Sequence, residues 1–297
     1  MNDVYVICDL TKQAHHQAVE REKTWTKKAE SYIALMHGVR ELHPGMGLRT
    51  MHEMVQPEGI GRDSFIALGL TAGFRLQTVS NPTRTTFSTP SRRYSNLLRG
   101  LEFTDVNQIW TSDITYFQHN EKYWYIVLIM DVYSRRLIGW SMADNMRAEN
   151  NVKALKMALK TRGIKNYDKT LIHHSDRGSQ YVSDIYTGLL TDNGILISMC
   201  NEVYENTHIE RANNTVKNQY LALYDIPNEN ALSKYLDKGA NLYNSKRPHQ
   251  SLNGLSPIQF ENNLKELKTL ERYPLKIYTV PKQNDVKFDK NQLTLEL

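Results

Sequence analysis

Between Asp105 and Met142 the sequence reads as three successive strands. They are Asp105–Phe117, rich in Ile, Trp, Thr and Tyr, then the nearly continuous apolar and aromatic run Tyr123–Met130, then Leu137–Met142 after a Ser134-Arg135-Arg136 turn. Gaps this short admit only tight turns, so the three make an antiparallel meander. The pattern then changes period. Val152, Leu155, Ala158 and Leu159 fall on one face of a helix over 148–161, and a strand over 170–173 leads straight into Asp176. A helix over 184–192, a strand over 195–199 and a long helix from Thr207 to about Leu223 complete the run. That order, βββαβαβα, predicts an α/β domain with a mixed five-stranded sheet flanked by helices.

Three acids occupy informative places in that pattern. Asp113 lies in Ile109-Trp-Thr-Ser-Asp-Ile-Thr-Tyr116, Asp176 follows His173-His-Ser175, and Glu210 closes Tyr204-Glu-Asn-Thr-His-Ile-Glu210 at the start of the last helix. Taken singly, each has an ordinary structural reading: a solvent-facing strand residue, a turn residue, and a first-turn acid favoured by the helix dipole. Together, two strand-end carboxylates and one helix carboxylate can converge on hard divalent cations, which take oxygen ligands and leave positions for phosphate and water. Without cations such a trio repels itself. Asp131, at the end of the second strand, is read as structural, ordering the following turn with Ser134 or Arg135. His173 and His174 have no cysteine near them in sequence, and a carboxylate-rich site favours Mg²⁺ or Mn²⁺ over zinc.

Before residue 100 the chain is different. Tyr32, Ile33, Leu35, Met36, Val39 and Leu42 have helical spacing over about 26–41, and His43-Pro-Gly45 ends that helix. A second helix is expected from Leu48 to Val55 and a third from Asp63 or Ser64, an acceptable N-cap, through Leu70. Three short helices with tight turns make a helix-turn-helix-like module. From Ser64 to Leu101 there is no Asp or Glu, while Arg75, Arg84, Arg92, Arg93 and Arg99 all fall there. Within a chain of net charge +5, that concentration suits a phosphate backbone, although a solvated basic linker has the same composition. Thr78–Ser95, rich in Ser, Thr, Asn and Pro, reads as extended.

Several of these strings resemble one family. Trp110-Thr-Ser-Asp-Ile-Thr-Tyr116, His174-Ser-Asp-Arg-Gly-Ser-Gln-Tyr181, Gly194-Ile, Ser198-Met199 and Tyr243-Asn-Ser-Lys-Arg-Pro-His-Gln-Ser-Leu-Asn-Gly254 are similar to the catalytic subunit of bacterial insertion-sequence transposases, in the superfamily of retroviral integrase cores. His43-Pro-Gly-Met-Gly-Leu-Arg49 and Gly59-Ile-Gly-Arg-Asp63 match that family's helical DNA-binding module, and Leu10–His16 resembles the tail of a further helix-turn-helix encoded upstream.

The resemblance implies a ribonuclease-H-like core, with Asp113, Asp176 and Glu210 as catalytic residues holding two Mg²⁺ (or Mn²⁺) ions, about 4 Å apart in such sites. It implies DNA contacts at Asn214 and Lys217, which with Glu210 recur at helical spacing, while Ile209, Val216, Tyr220 and Leu223 face the core. Further candidate DNA contacts are Arg49, Arg62, Arg75, Arg84, Arg92, Arg93, Arg177, Gln180, Lys246 and Arg247. Gln180 with Gly178 would also shape the loop after Asp176, and Lys246-Arg247 reads equally well as a polar turn. One departure from the family is a slightly short spacing between Asp176 and Glu210, placed in the loop at Asn201–Val203, where length varies cheaply. Glu202 and Glu205 therefore stay as rivals for the third acid.

The expected organisation is a helical DNA-binding region over 1–75, a basic linker over 76–101, a catalytic core over 102–225 and a C-terminal helical extension and tail over 226–297. The expected partners are transposon-end and target DNA, further copies of the chain, and an upstream-frame helix-turn-helix protein. A purely hydrolytic ribonuclease-H-like nuclease and a catalytically retired DNA-binding protein are the competing readings. Cys8 and Cys200 form no CxxC pair, and no stretch reaches the roughly 18 apolar residues of a membrane span, so a cytoplasmic protein without a disulfide framework is expected.

Overall fold

The computed structural model of the chain describes residues 11–77, 94–98, 100–164, 170–200 and 206–276, and the chain forms two compact units. One gathers Met1–Arg84 with Asn214–Gln259, the other Thr85–Asn213 with Phe260–Leu297. Most of the expected basic linker, with Arg84, Arg92, Arg93 and Arg99, lies outside the described residues, as do Glu202, Glu205 and the chain before Thr11.

In the first unit the opening helix, α1, runs Lys12–Leu42, well before its expected start near Thr26. Thr11 caps it, its hydroxyl accepting from Ala14 N at 3.1 Å. The added turns carry almost no buried residue. Strong helix formers such as Ala, Gln, Glu, Lys and Arg sustain them, which an apolar-periodicity reading cannot see. Helices α2 (Leu48–Val55) and α3 (Arg62–Thr71) follow. The cap of α3 is Gly61, not Asp63 or Ser64; Asp63 instead lies in the first turn, where the helix dipole favours an acid. Tyr32, Met36, Val39, Met46, Met51, Phe65 and Phe74 form the core of this module.

In the second unit, short β1 (Glu102–Phe103) precedes β2 (Ile109–His119), β3 (Lys122–Asp131) and β4 (Leu137–Ala143), which form the antiparallel meander. β2 begins later than expected because residues 104–108 make a turn, in which the Gln108 side-chain oxygen accepts from Thr104 N and Asp105 N and Asn107 takes a positive φ of 60°. Asn120 and Glu121, both with positive φ, form the two-residue β2–β3 hairpin turn. After α4 (Ala148–Arg162), β5 (Ile172–Ser175) joins β2 in parallel; after α5 (Asp184–Asp192), β6 (Leu196–Met199) joins β5 in parallel. The strand order β4-β3-β2-β5-β6 is the mixed five-stranded, ribonuclease-H-like sheet that was expected.

Ile126 through Met130 of β3 are fully buried, consistent with an unbroken apolar run covered on both faces, and each such side chain contributes about 1.5–3 kcal/mol. Helix α4 packs so closely that a Cβ at Gly139 of β4 would lie 2.2 Å from Ala154 O. α6 (Thr207–Asn214) carries Glu210.

From Thr215 the chain returns to the first unit. The long helix expected to Leu223 does not stay α-helical: Thr215–Tyr220 is π-helix and Leu221–Leu223 is 3₁₀. The changed winding alters the face. Ile209, Val216 and Tyr220 are buried as expected, but Leu223 is 41% exposed. α7 (Leu232–Ser245) is followed by α8 (Pro257–Glu266), whose Ser256 and Gln259 bond each other's backbone N–H in a capping-box arrangement. His43 Nδ1 lies 2.7 Å from the Tyr220 hydroxyl, and Gly45 N donates to Gln219 O at 2.9 Å. The N-terminal helices thus share their unit with residues 214–259.

The C-terminal part of the second unit is held by charge. Glu261 accepts from Arg162 at 2.5 and 3.0 Å and from Arg136 at 2.6 Å, and Arg162 also reaches Asp131 at 3.2 Å. Asp131 further accepts from the backbone N–H groups of Asn107, Tyr133 and Ser134, so it orders the turn after β3. β7 (Leu275–Lys276) pairs with β1, which gives a structural place to a stretch whose sequence suggested none. Arg162→Leu leaves Asp131 and Glu261 buried with one partner fewer and should cost about 3–5 kcal/mol in chemical denaturation. A loss below about 1 kcal/mol would show that the cluster contributes little.

Candidate active site

The parallel ladder between β2 and β5 pairs Ser112 with Ser175. Asp113 and Asp176 are the next residue on each strand, so two acids emerge side by side on backbones that adjacent strands hold about 4.8 Å apart. The third acid arrives on α6. Asn206, just before that helix, accepts a hydrogen bond from the Thr111 hydroxyl and donates to Ser112 O at 3.1 Å. Asn206, which the sequence offers as the N-cap of a helix beginning at Thr207, therefore reaches across to β2. Seven residues on, Asn213 Nδ2 donates to Asp113 Oδ2 at 2.7 Å. Asn206, Glu210 and Asn213 recur at i, i+4 and i+7, one face of the helix.

Asp113 feels the charges of the other two acids. Burial, then the neighbouring charge of Asp176 and, more weakly, that of Glu210 push the Asp113 carboxyl up to about 7, against the lowering bond from Asn213. Burial raises Asp176 too, partly offset by its bond from Gly178 N at 3.0 Å, and desolvation raises Glu210, the most exposed of the three. Behind the acids, Ser112 Oγ meets the Tyr181 hydroxyl at 2.9 Å, and burial with the two aspartates keeps that phenol protonated.

As a donor set, three carboxylates and a buried amide suit a hard divalent cation. Asn213 Oδ1, buried and without a hydrogen-bond partner, adds a neutral oxygen at the same place. Among the described residues no three acids, histidines or cysteines are already closed to ligand distance, so the acids are neighbours that a cation would draw together.

The histidines preceding Asp176 are committed within the protein. His173 Nε2 meets the Tyr186 hydroxyl at 2.9 Å, while His174 meets Ser198 Oγ at 2.8 Å and Cys200 Sγ at 3.1 Å. A cysteine does therefore lie beside His174, brought there by the β5–β6 pairing, which the sequence separation concealed.

The integrase core domain family matches residues 104–203, and a second form of it matches residues 197–257. Together these cover more than half of the chain. The chain belongs to the integrase core domain family. It is 28% identical over 267 residues to the insertion element IS600 uncharacterized 31 kDa protein of Shigella sonnei, covering 87% of this chain and 97% of that protein. It is 34% identical over 164 residues to the transposase InsF for insertion sequence IS3A of Escherichia coli K12, covering 52% of this chain and 54% of InsF. The match thus spans about half the length of InsF. Among solved structures, the HTLV-2 integrase catalytic core domain in complex with magnesium is similar at 22% identity and a TM-score of 0.44, covering 52% of this chain and 96% of that one.

Within this integrase core, Asp113, Asp176, Glu210, Arg177 and Gln180 all belong to the second unit. Gln180 donates its amide N–H to Met146 O at 3.1 Å, a loop-shaping bond. Arg49, Arg62, Arg75, Asn214, Lys217, Lys246 and Arg247 belong to the first unit. Arg49, Arg62, Arg75, Asn214 and Lys246 are exposed there, whereas Arg247 bonds to buried Tyr220. The reading of the sequence missed Asn213, Thr111 and the Ser112–Tyr181 pair, and saw in Asn206 only a helix cap. The helical spacing of Asn206 and Asn213 around Glu210 was a usable signal, equal in form to that of Asn214 and Lys217.

The raised Asp113 carboxyl has a thermodynamic sign. Between its unfolded value of 3.8 and its folded value of about 7, the folded state holds the proton more tightly, so this group's contribution to stability falls as pH rises through that window. Buried His173 and half-buried His208, both pushed down to about 3 by desolvation, act in the opposite sense, so the difference between variants isolates Asp113. In metal-free protein the melting temperature of Asp113→Asn relative to the parent should climb from the acid end of the window to its neutral end. A difference that stays flat with pH would contradict the folded value.

Proposed function

We propose that the protein is a DNA transposase that binds transposon ends, cleaves a DNA strand there and joins the resulting 3′ hydroxyl to target DNA. The observation that carries this reading is the convergence of Asp113, Asp176 and Glu210, two acids at adjacent ends of the parallel ladder and one on the helix tied to it. Asp113, Asp176 and Glu210 would together hold Mg²⁺ or Mn²⁺ ions. When bound, such ions supply Lewis-acid stabilisation of the attacking and leaving oxygens in an in-line displacement at phosphorus. The protein's own part is to fix its carboxylates on rigid elements, since a displacement of about 1 Å can cost on the order of 100-fold in rate. Arg177, Asn214 and Lys217 would contact the DNA end, and Lys246 and Arg247 backbone phosphates. The enzyme would work as an oligomer on DNA in the bacterial cytoplasm, with an upstream-frame helix-turn-helix protein as a further partner. Among the described residues no helix is long and apolar enough to cross a membrane.

Asp113→Asn, Asp176→Asn and Glu210→Gln should each abolish cleavage and joining on pre-formed transposon-end DNA in Mg²⁺ while end binding persists. Glu202→Gln and Glu205→Gln should keep most activity. Full joining by either aspartate variant overturns the proposal, and a parent enzyme that hydrolyses ends but never joins them favours a nuclease.

DNA affinity should fall steeply with salt, each phosphate contact contributing about 0.9 to the log–log slope. Arg49→Gln and Arg75→Gln, on exposed positions of the full chain, should each reduce the slope by about 1. Unchanged slopes would move the DNA-binding surface elsewhere.

A further inference from the structure

Asn213 is the one buried side chain on α6 that bonds directly to a catalytic acid. Its residue is 4% exposed, its Nδ2 donates to Asp113 Oδ2 at 2.7 Å, and its Oδ1 is buried with no hydrogen-bond partner. Asn214, one position on, points outward and is exposed, so the two asparagines of this helix have opposite surroundings. The arrangement is costly for a purely structural residue. A buried amide that leaves its carbonyl unsatisfied gives up the hydration of that oxygen, and an apolar side chain at this position, beside buried Ala212 and Ile209, would avoid that loss.

We propose that Asn213 is a positioning residue for the metal-dependent reaction: it holds the Asp113 carboxylate in one orientation and presents its own Oδ1 as a neutral oxygen to the hydration shell of a cation bound there. The inference rests on the transposase reading above. Three features support it. First, Asp113 lies within β2, paired with Leu128 of β3, so its backbone is fixed and only its side-chain torsions remain to be set; the charge-assisted bond from Asn213 to Oδ2, together with a backbone bond from Ile114, sets them. Second, the amide is carried by the helix that carries Glu210, one turn further on, so the bond also fixes the distance between two of the three acids. Asn206, one turn before Glu210, ties the same helix to Thr111 and Ser112, so the two asparagines bracket the glutamate. Third, the amide is neutral. A carboxylate at this position would add a fourth acid at hydrogen-bond distance from Asp113 Oδ2.

Partners that orient metal ligands typically change metal affinity 10–100-fold when removed. In the full chain, Asn213→Ala should weaken Mg²⁺ binding by about that factor in calorimetric titration without DNA, and joining should recover as Mg²⁺ is raised. DNA-end affinity without metal should not change. Asp113→Asn/Asn213→Asp, which keeps a hydrogen bond of reversed polarity between the positions, should melt close to the parent without metal yet fail to restore Mg²⁺ affinity. A purely structural role predicts the opposite split: a lowered melting temperature, parental Mg²⁺ affinity in the folded protein, and no rescue by added Mg²⁺. That outcome, or parental behaviour of Asn213→Ala in both assays, overturns the proposal. Asp113→Asn run in parallel keeps the two ideas apart, because its retention of joining would sink the transposase reading whatever Asn213 does.

Discussion

The parallel pairing of β2 with β5 is the constraint on which the site depends. Ile109 to Ser112 align with Ile172 to Ser175, and the ladder ends where the two aspartates begin. Parallel strands cannot be joined by a tight turn, so the chain must first complete the meander and α4 before β5 can enter the sheet. Both faces must then be covered, and they are: Trp110, Val127 and Ile129 pack with α4 and α5 residues, while Ile109, Val132 and Ile172 pack with Leu98 and Phe103. The acids are placed by burial elsewhere in the sheet, with no help from their own mutual interaction, which is repulsive.

The elements of this core were largely legible in the sequence because their patterns are strong. The β3 run from Tyr123 and the α4 stripe of Val152, Leu155 and Ala158 were each found within a residue or two of their observed limits. The remainder was obscured for definite reasons. β7 has only two residues and exists through its pairing with β1, so no local pattern announces it. The first half of α1 follows intrinsic propensity without burial. Asn213 and Asn214 stand next to each other, and which one faces the acids is settled by the angle at which α6 meets β2, a tertiary quantity. Cys200 sits beside His174 because two parallel strands are in register, and spacing along the chain says nothing about that.

Two charged clusters in the same unit follow opposite logic. Around Arg162, opposite charges are interleaved with Asp131 and Glu261; hydrogen bonding holds the Glu261 carboxyl below its ordinary value despite burial, while burial raises that of Asp131. Around Asp113, burial raises all three carboxyls, and the neighbouring acids push that of Asp113 further up. The first cluster is complete as folded. The second is tolerable because of the apolar core beneath it, and it is the place in the unit where binding a counter-charge has most to offer.

The first unit is assembled from segments far apart in the chain. His43, which ends α1, meets Tyr220 across a separation of 177 residues, and Gly45 sits so close to Gln219 that a Cβ there would approach its Cα to 2.4 Å. During synthesis at about 5–20 residues per second, the N-terminal helices therefore wait roughly 10–35 s for the residues that complete them. In that interval the whole β-meander and its crossovers emerge and can fold first. These helices are thus among the last elements to be finished, and an event that interrupted translation after the five-stranded sheet would release a chain whose helical module had never been closed.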